Sequence, residues 1–157
     1  MNKNIFFWLI AGLVLFSDQG VKFLVQSLMY EGQTVPVLGS FFHFTYILNP
    51  GAAFGMFAYK TWMLICLAGL VIAAVIVFYR RIMEQAAVIR LALALEMAGT
   101  RGNLLDRLRL GYVVDFLDFR IWPIFNIADI AIVTGVGLLF YYLIFLDEKA
   151  DKEYGKI

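Results

Sequence analysis

The residues of this 157-residue chain best suited to chemistry are acids and amides set in apolar surroundings. Asn126-Ile127-Ala128-Asp129 follows Pro123 and opens a long apolar run. An Asn three residues ahead of a carboxylate has the spacing of a capping box, and the carboxylate then sits at the positive end of a helix dipole. A second acid, Asp115, projects from the otherwise apolar segment Gly111-Tyr112-Val113-Val114-Asp115-Phe116. Two carboxylates that meet at a water-poor boundary cannot both ionise, so they share a proton and titrate as a pair. The ionised member of such a pair takes a proton from a water that attacks a peptide carbonyl. The protonated member polarises that carbonyl and then helps to protonate the leaving amine. Neither a metal, a cofactor nor a covalent intermediate is needed. Plainer readings exist: capping alone for Asp129 and a solvated loop acid for Asp115, with Asp118 as a neighbouring acid for which the sequence names no partner.

Asp18 and Lys22 are four residues apart and share one helix face, either as a self-neutralising pair near an interface or as a support for a site. One His and one Cys exclude an internal disulfide, a zinc site of the usual His/Cys kind and an HExxH motif. Cys66 lies in an apolar run and reads as a buried small hydrophobe, and His43, between Phe41 and Tyr46, as an interfacial side chain. A serine–lysine pair is poorly placed, because Ser17 and Ser27 are neither three nor four residues from Lys22. The formal net charge of +1 gives no field that would hold a nucleic acid.

The elements that must carry these groups are membrane spans. The chain is 62% apolar and 16% charged, with mean hydropathy +0.82 and fifteen Phe, eight Tyr and three Trp. A soluble domain is nearer half apolar and about a quarter charged. Roughly 20 helical residues cross the hydrocarbon, and four stretches qualify: about 5–28, 62–79, 86–105 and 125–146. The first is read as a continuing helix rather than a cleavable leader, since no small-x-small site follows its apolar stretch. Lys3, Arg80, Arg81, Arg90, Lys149, Lys152 and Lys156 then fall on one side, and Lys60, Arg107, Arg109 and Arg120 on the other. Basic residues favour the cytoplasmic side, which predicts both termini there. Segments of about 30–61 and 106–124 face outward. In the first, Val35 to Leu38 and Phe41 to Leu48 flank Gly39-Ser40 as a β-hairpin resting on the membrane surface. The expected fold is an all-α integral membrane domain of four helices with a small extracytoplasmic hairpin, or cradle, after the first.

Five segments in this order resemble the lipoprotein signal peptidase (signal peptidase II) family: Asp18-Gln19-Gly20-Val21-Lys22, Asn49-Pro50-Gly51-Ala52-Ala53-Phe54-Gly55, Gly102-Asn103-Leu104-Leu105-Asp106-Arg107, Val113-Val114-Asp115-Phe116 and Phe125-Asn126-Ile127-Ala128-Asp129. The resemblance implies that Asp115 and Asp129 are a catalytic dyad. It also implies that Asp18, Lys22, Asn49, Gly51, Asn103, Asp106, Arg107, Asn126 and Ala128 line or support the site. It further implies a place in the bacterial cytoplasmic (inner) membrane, with the site towards the extracytoplasmic face; a monomer is expected, although the sequence itself does not give the oligomeric state. Its partners are then membrane lipids and a prolipoprotein cut just before a diacylglyceryl-modified cysteine. Glu96-Met97-Ala98-Gly99-Thr100-Arg101 departs from the small apolar run expected before Gly102-Asn103, and Glu96 with Arg101 reads as a pair or as a headgroup contact. The rival classes are a proton-coupled transporter using Asp18, Lys22, Glu96 and Asp129, and a non-catalytic membrane scaffold.

Overall fold

A computed structural model describes residues 2–51 and 56–146. Ala52, Ala53, Phe54 and Gly55 of the second segment, and Lys149, Lys152 and Lys156 of the charge count, lie outside the described residues. Helix α1 (Lys3–Leu28) starts where the Asn2 side chain accepts the Asn4 N–H at 2.9 Å, which satisfies one of the free donors of a helix start. Strands β1 (Thr34–Leu38) and β2 (Phe42–Asn49) follow, then α2 (Thr61–Val77) and the short α3 (Tyr79–Glu84). Helix α4 (Ala87–Leu110), strand β3 (Val113–Asp118), α5 (Ile127–Tyr141) and a π-helical turn (Tyr142–Leu146) complete the order. Two stretches, Lys3–Leu28 and Ile127–Phe145, are long and apolar enough to cross a membrane, and α2 is a shorter apolar helix.

Helix α4 packs against α1, α2 and α5. Its inward residues are small, with Ala92, Ala94, Ala98 and Gly99 buried beside Met97. Small side chains let backbones approach closely, the main attraction open to helices that gain nothing by hiding apolar surface from lipid. At Gly99 a Cβ would stand 2.4 Å from the Ala128 carbonyl oxygen and 2.8 Å from Ile132 Cγ1. Phe7, Val75, Ile82, Ala94 and Met97 form one core cluster, and Phe7 meets Tyr79 edge-on with ring centroids 5.5 Å apart. Many large side chains outside this core are exposed, among them Leu13, Phe16 and Phe23 of α1, Trp62 and Leu70 of α2, and Val133 of α5. Apolar surface of that extent suits contact with lipid.

The structure adds to the expected hairpin and corrects several readings. The segment expected as a loop between Asp106 and Ile124 contains β3, which pairs antiparallel with β2 and makes a three-stranded sheet. The alternation that marks a half-exposed strand is missing there, because Val113, Val114, Asp115 and Phe116 are all buried. Val114 and Phe116 join Val25 to seat the sheet on the end of α1. Helix α4 runs past the expected end of its span, so Asp106 and Arg107 stand on helix rather than in a loop, and it stops at Gly111, whose φ of +82° suits a left-handed C-cap. Cys66 is exposed, not buried, on a helix whose apolar residues run all round it. Glu96 and Arg101 form no ion pair among the described residues. The Arg101 guanidinium lies 5.6 Å from the centre of the Trp8 ring, and Glu96 packs where Gly135 lacks a side chain.

Gly99→Ala should force α4 from α5 and lower the thermal midpoint in detergent, at a cost of about 1–3 kcal/mol. Gly69→Ala, where a new Cβ meets nothing within 4 Å, is the control and should leave the midpoint unchanged.

Candidate active site

Asp115 occupies the middle of β3, opposite Ile47 of β2, and is 1% exposed. Asp129 is the third residue of α5. Asn126 caps that helix reciprocally: the Asp129 N–H donates to Asn126 Oδ1 at 2.9 Å, and the Asn126 N–H donates to Asp129 Oδ2 at 3.2 Å. The same Asn126 donates from Nδ2 to Asp115 Oδ1 at 2.6 Å. One capping residue therefore touches both acids. Among the described residues no hydrogen bond joins the two carboxylates directly.

Each acid has a further amide donor. Asn49, at the end of β2, donates from Nδ2 to Asp115 Oδ2 at 2.8 Å, while its own Oδ1 accepts the Gly51 N–H at 2.9 Å. Asn103 of α4 donates from Nδ2 to Asp129 Oδ1 at 2.8 Å. Its Oδ1 accepts from Lys22 Nζ at 3.0 Å and from Asn126 Nδ2 at 3.1 Å. Lys22 is 1% exposed and also pairs with Asp18 at 3.0 Å and Asp106 at 2.9 Å. Asp18, with no exposure, accepts the Ala128 N–H at 2.9 Å, which ties α1 to the first turn of α5. Asp106 accepts the Val114 N–H at 3.1 Å and so holds β3 beside α4. Arg107 donates from Nη2 to the Gly51 carbonyl at 2.8 Å and from Nη1 to the Asn103 carbonyl at 3.4 Å.

All eleven residues singled out in the sequence thus meet in one hydrogen-bonded assembly, although they come from α1, β2 and the turn after it, α4, β3 and α5. Gln19, quoted within the first segment but given no role, also belongs to it. Its Nε2 donates to Asp18 Oδ2 at 3.2 Å, the Gly102 carbonyl at 3.2 Å and Asp106 Oδ1 at 3.1 Å. The available signal was a third consecutive polar residue, after Ser17 and Asp18, inside an apolar helix. Gly102 is required by close approach, since a Cβ there would stand 2.5 Å from Asp18 Oδ2. Asp118 and His43, for which the sequence named no partner, are both bonded. Asp118 accepts from the Thr45 hydroxyl at 2.6 Å and the Arg120 N–H at 2.9 Å, and His43 is buried and accepts at Nδ1 from Arg120 Nε at 3.1 Å.

Burial, reinforced by the charge of Asp129, pushes the Asp115 carboxyl up to about 7, against the amide bonds from Asn49 and Asn126 and the Lys22 charge. Burial also raises Asp118, but the Thr45 hydroxyl, the Arg120 N–H and the Arg120 charge outweigh it and leave this acid below its ordinary value. The two acids of β3 are therefore driven in opposite directions. Asp115 and Asp129 open onto a cavity of about 1380 Å³. Asn49, Asn103 and Arg107 line its polar side, Leu64, Leu67 and Val71 of α2 and Ile130 and Val133 of α5 its apolar side, and Phe119, Ile121 and Trp122 another part of its wall.

A bundle of apolar helices with a small sheet, holding buried carboxylates beside a large, mostly apolar cavity, is the architecture of a membrane enzyme. A bacterial membrane enzyme solved by the in meso method superposes with a TM-score of 0.82 at 31% identity, covering 93% of this chain and 90% of the other. A second such structure superposes with a TM-score of 0.77 at 32% identity, covering 89% of this chain and 93% of the other. The sequence profile of signal peptidase (SPase) II matches residues 10–145, and the chain belongs to that family of aspartic peptidases. It is 49% identical over 138 residues to the lipoprotein signal peptidase of Moorella thermoacetica, covering 88% of this chain and 92% of that one. It is 46% identical over 151 residues to the lipoprotein signal peptidase of Pelotomaculum thermopropionicum, covering 96% and 99%. Membership of a peptidase family leaves the carrier and scaffold readings without support.

Lys22→Met removes the cation shared by Asp18, Asp106 and Asn103 and leaves two buried carboxylates uncompensated. The expected loss is about 3–5 kcal/mol, seen as a large fall in the thermal midpoint. Lys3→Met, at the exposed start of α1, should leave the midpoint in place.

Proposed function

We propose that the protein is a lipoprotein signal peptidase of the bacterial cytoplasmic membrane, which cuts a prolipoprotein immediately before its diacylglyceryl-modified cysteine. Four helical spans carry it, α1, α2, α4 and α5 with the turn after it, and both termini are cytoplasmic. The support for this orientation is the division of charge: Lys3, Arg80, Arg81 and Arg90 belong to one end of the helices, and Lys60, Arg107, Arg109 and Arg120 to the other. The dyad lies with the second group. A substrate anchored by acyl chains stays in the bilayer, so its cleavage needs a site that opens into lipid. The cavity beside Asp115 and Asp129, apolar along α2 and α5, fits that requirement.

Asp115 and Asp129 act as the dyad on a single water. Asp129 removes a proton from the water as its oxygen attacks the scissile carbonyl carbon. Asp115 is the acid whose carboxyl is raised towards neutrality; in its protonated form it polarises the carbonyl oxygen, and the pair returns a proton to the leaving amine as the C–N bond breaks. The observation that carries this reading is the grip of Asn126 on both acids. It fixes their separation and orientation before any substrate arrives, which is the positioning that general acid–base work requires. Lys22, out of reach of both acids as a direct partner, orients Asn103, which bonds Asp129. Asn49, Gly51 and Arg107 form the edge along which an extended peptide backbone lies, where buried amides and a guanidinium satisfy its polar groups.

Purified protein in detergent with a lipidated prolipoprotein peptide tests this. Asp115→Asn and Asp129→Asn should each reduce cleavage by about 10³-fold or more, whereas Ser17→Ala, Ser27→Ala and a chelator should leave it intact. Cleavage surviving both Asn variants rules out the two-acid mechanism. Because the acid form of Asp115 is the one required, kcat/KM should decline as pH rises through about 7, measured in the parent enzyme.

A further inference from the structure

The segment between β3 and α5 is held in a conformation that its sequence alone does not favour. Arg120 sits at φ +64°, the left-handed region that L-residues with long side chains seldom adopt. Leu117 and Phe125 close the base of the segment, the Leu117 N–H donating to the Phe125 carbonyl at 2.8 Å and the Phe125 N–H to the Leu117 carbonyl at 3.2 Å. Phe119 stacks on Phe125 with centroids 5.8 Å apart and planes 9° apart. What fixes the middle is a group of polar side chains on the sheet. Arg120 Nε donates to His43 Nδ1 at 3.1 Å and lies 3.5 Å from Asp118 Oδ2, while its N–H donates to Asp118 Oδ1. Asp118 is 4% exposed and is itself held by the Thr45 hydroxyl, and His43 is 9% exposed.

None of His43, Asp118 and Arg120 lines the large cavity. The residues that the clasp holds do: Phe119, Ile121 and Trp122 form part of the wall that also includes Asp115. A histidine that accepts at Nδ1 offers a single, directional site, and the guanidinium Nε–H is a fixed donor, so the pair sets orientation as well as distance. We propose that His43, Asp118 and Arg120 form a positioning clasp that sets the aromatic wall of the cavity against the substrate, and so governs how substrate is seated rather than how the bond is cut. This inference rests on the peptidase reading above. The clasp spans β2 and the segment after β3, so it registers the sheet with the cavity mouth.

A purely structural role and the clasp predict different outcomes at Arg120. Glycine adopts φ +64° without strain, so if only backbone shape mattered, Arg120→Gly would match the parent. The clasp predicts that Arg120→Gly and His43→Phe raise KM about tenfold with kcat within about twofold, the loss typical of a hydrogen bond to a charged group. His43→Asn, whose side-chain oxygen can take the place of Nδ1, should keep KM within about twofold of the parent. A parental KM in both Arg120→Gly and His43→Phe overturns the proposal, as does a His43→Asn variant as impaired as His43→Phe. Amide hydrogen exchange of residues 119–125 in the same detergent-solubilised full chains gives a second readout. Exchange should be faster in Arg120→Gly and His43→Phe but not in His43→Asn, and equal rates in all of them overturn the clasp. If the parent itself leaves the lipidated peptide intact, the peptidase reading fails, and the exchange rates still decide the clasp.

Discussion

The enclosed ammonium of Lys22 is the contact on which the rest of the site depends. An ion withdrawn from water loses several kcal/mol of hydration, and only close, well-aimed partners restore it. Lys22 has three, from two helices: Asp18 on its own α1, and Asp106 and the amide oxygen of Asn103 on α4. Each partner also bonds something else. Asp18 takes the Ala128 N–H of α5, Asp106 takes the Val114 N–H of β3, and Asn103 reaches Asp129. Satisfying one buried charge thus fixes α1, α4, α5 and β3 relative to one another. In an apolar setting, where helices have little to separate one packing from another, such directional bonds make a single arrangement preferable.

The same economy governs the acids. Asp129 lies at a helix start and Asp115 in a strand, and no local rule brings those two elements together. Their junction is Asn126, whose backbone and side chain serve the cap while its Nδ2 reaches across to β3. A residue that reads as ordinary capping chemistry therefore has a second, tertiary task. The opposed behaviour of Asp115 and Asp118, three residues apart on one strand, shows how far environment decides the character of a carboxylate. Asp115 is surrounded by amides and faces another acid, whereas Asp118 has a hydroxyl and a guanidinium beside it.

Much of this was legible in the residues. Charged side chains inside apolar helices are expensive unless paired, so Asp18, Lys22 and Asp129 announced themselves, and the Asn126-to-Asp129 spacing named its own local geometry, whereas Asn103 was marked only by the family resemblance. The hairpin was visible from β-branched and aromatic runs around Gly39. Strand β3 was not, because a strand buried along its length carries no alternation, and its partner β2 lies more than sixty residues earlier. Cys66 was misjudged because burial in a membrane protein is not the same as burial from water: an apolar residue on α2 can stay outside the protein and still be in its preferred medium. The partners of Asp118 and His43 were not legible, because Thr45 and Arg120 meet them only across the sheet or through a backbone turn with positive φ.

Neither acid has a stabilising neighbour from its own element alone: Asp115 relies on β2 and on the residue before α5, and Asp129 on α4 as well as its own cap. Before α5 has docked, each carboxylate is an ordinary side chain with no counterpart. On the two-acid reading, hydrolytic capacity arrives in a single step, when α5 settles against α4 and β3. A half-inserted chain is then harmless to the other polypeptides crowding the same bilayer.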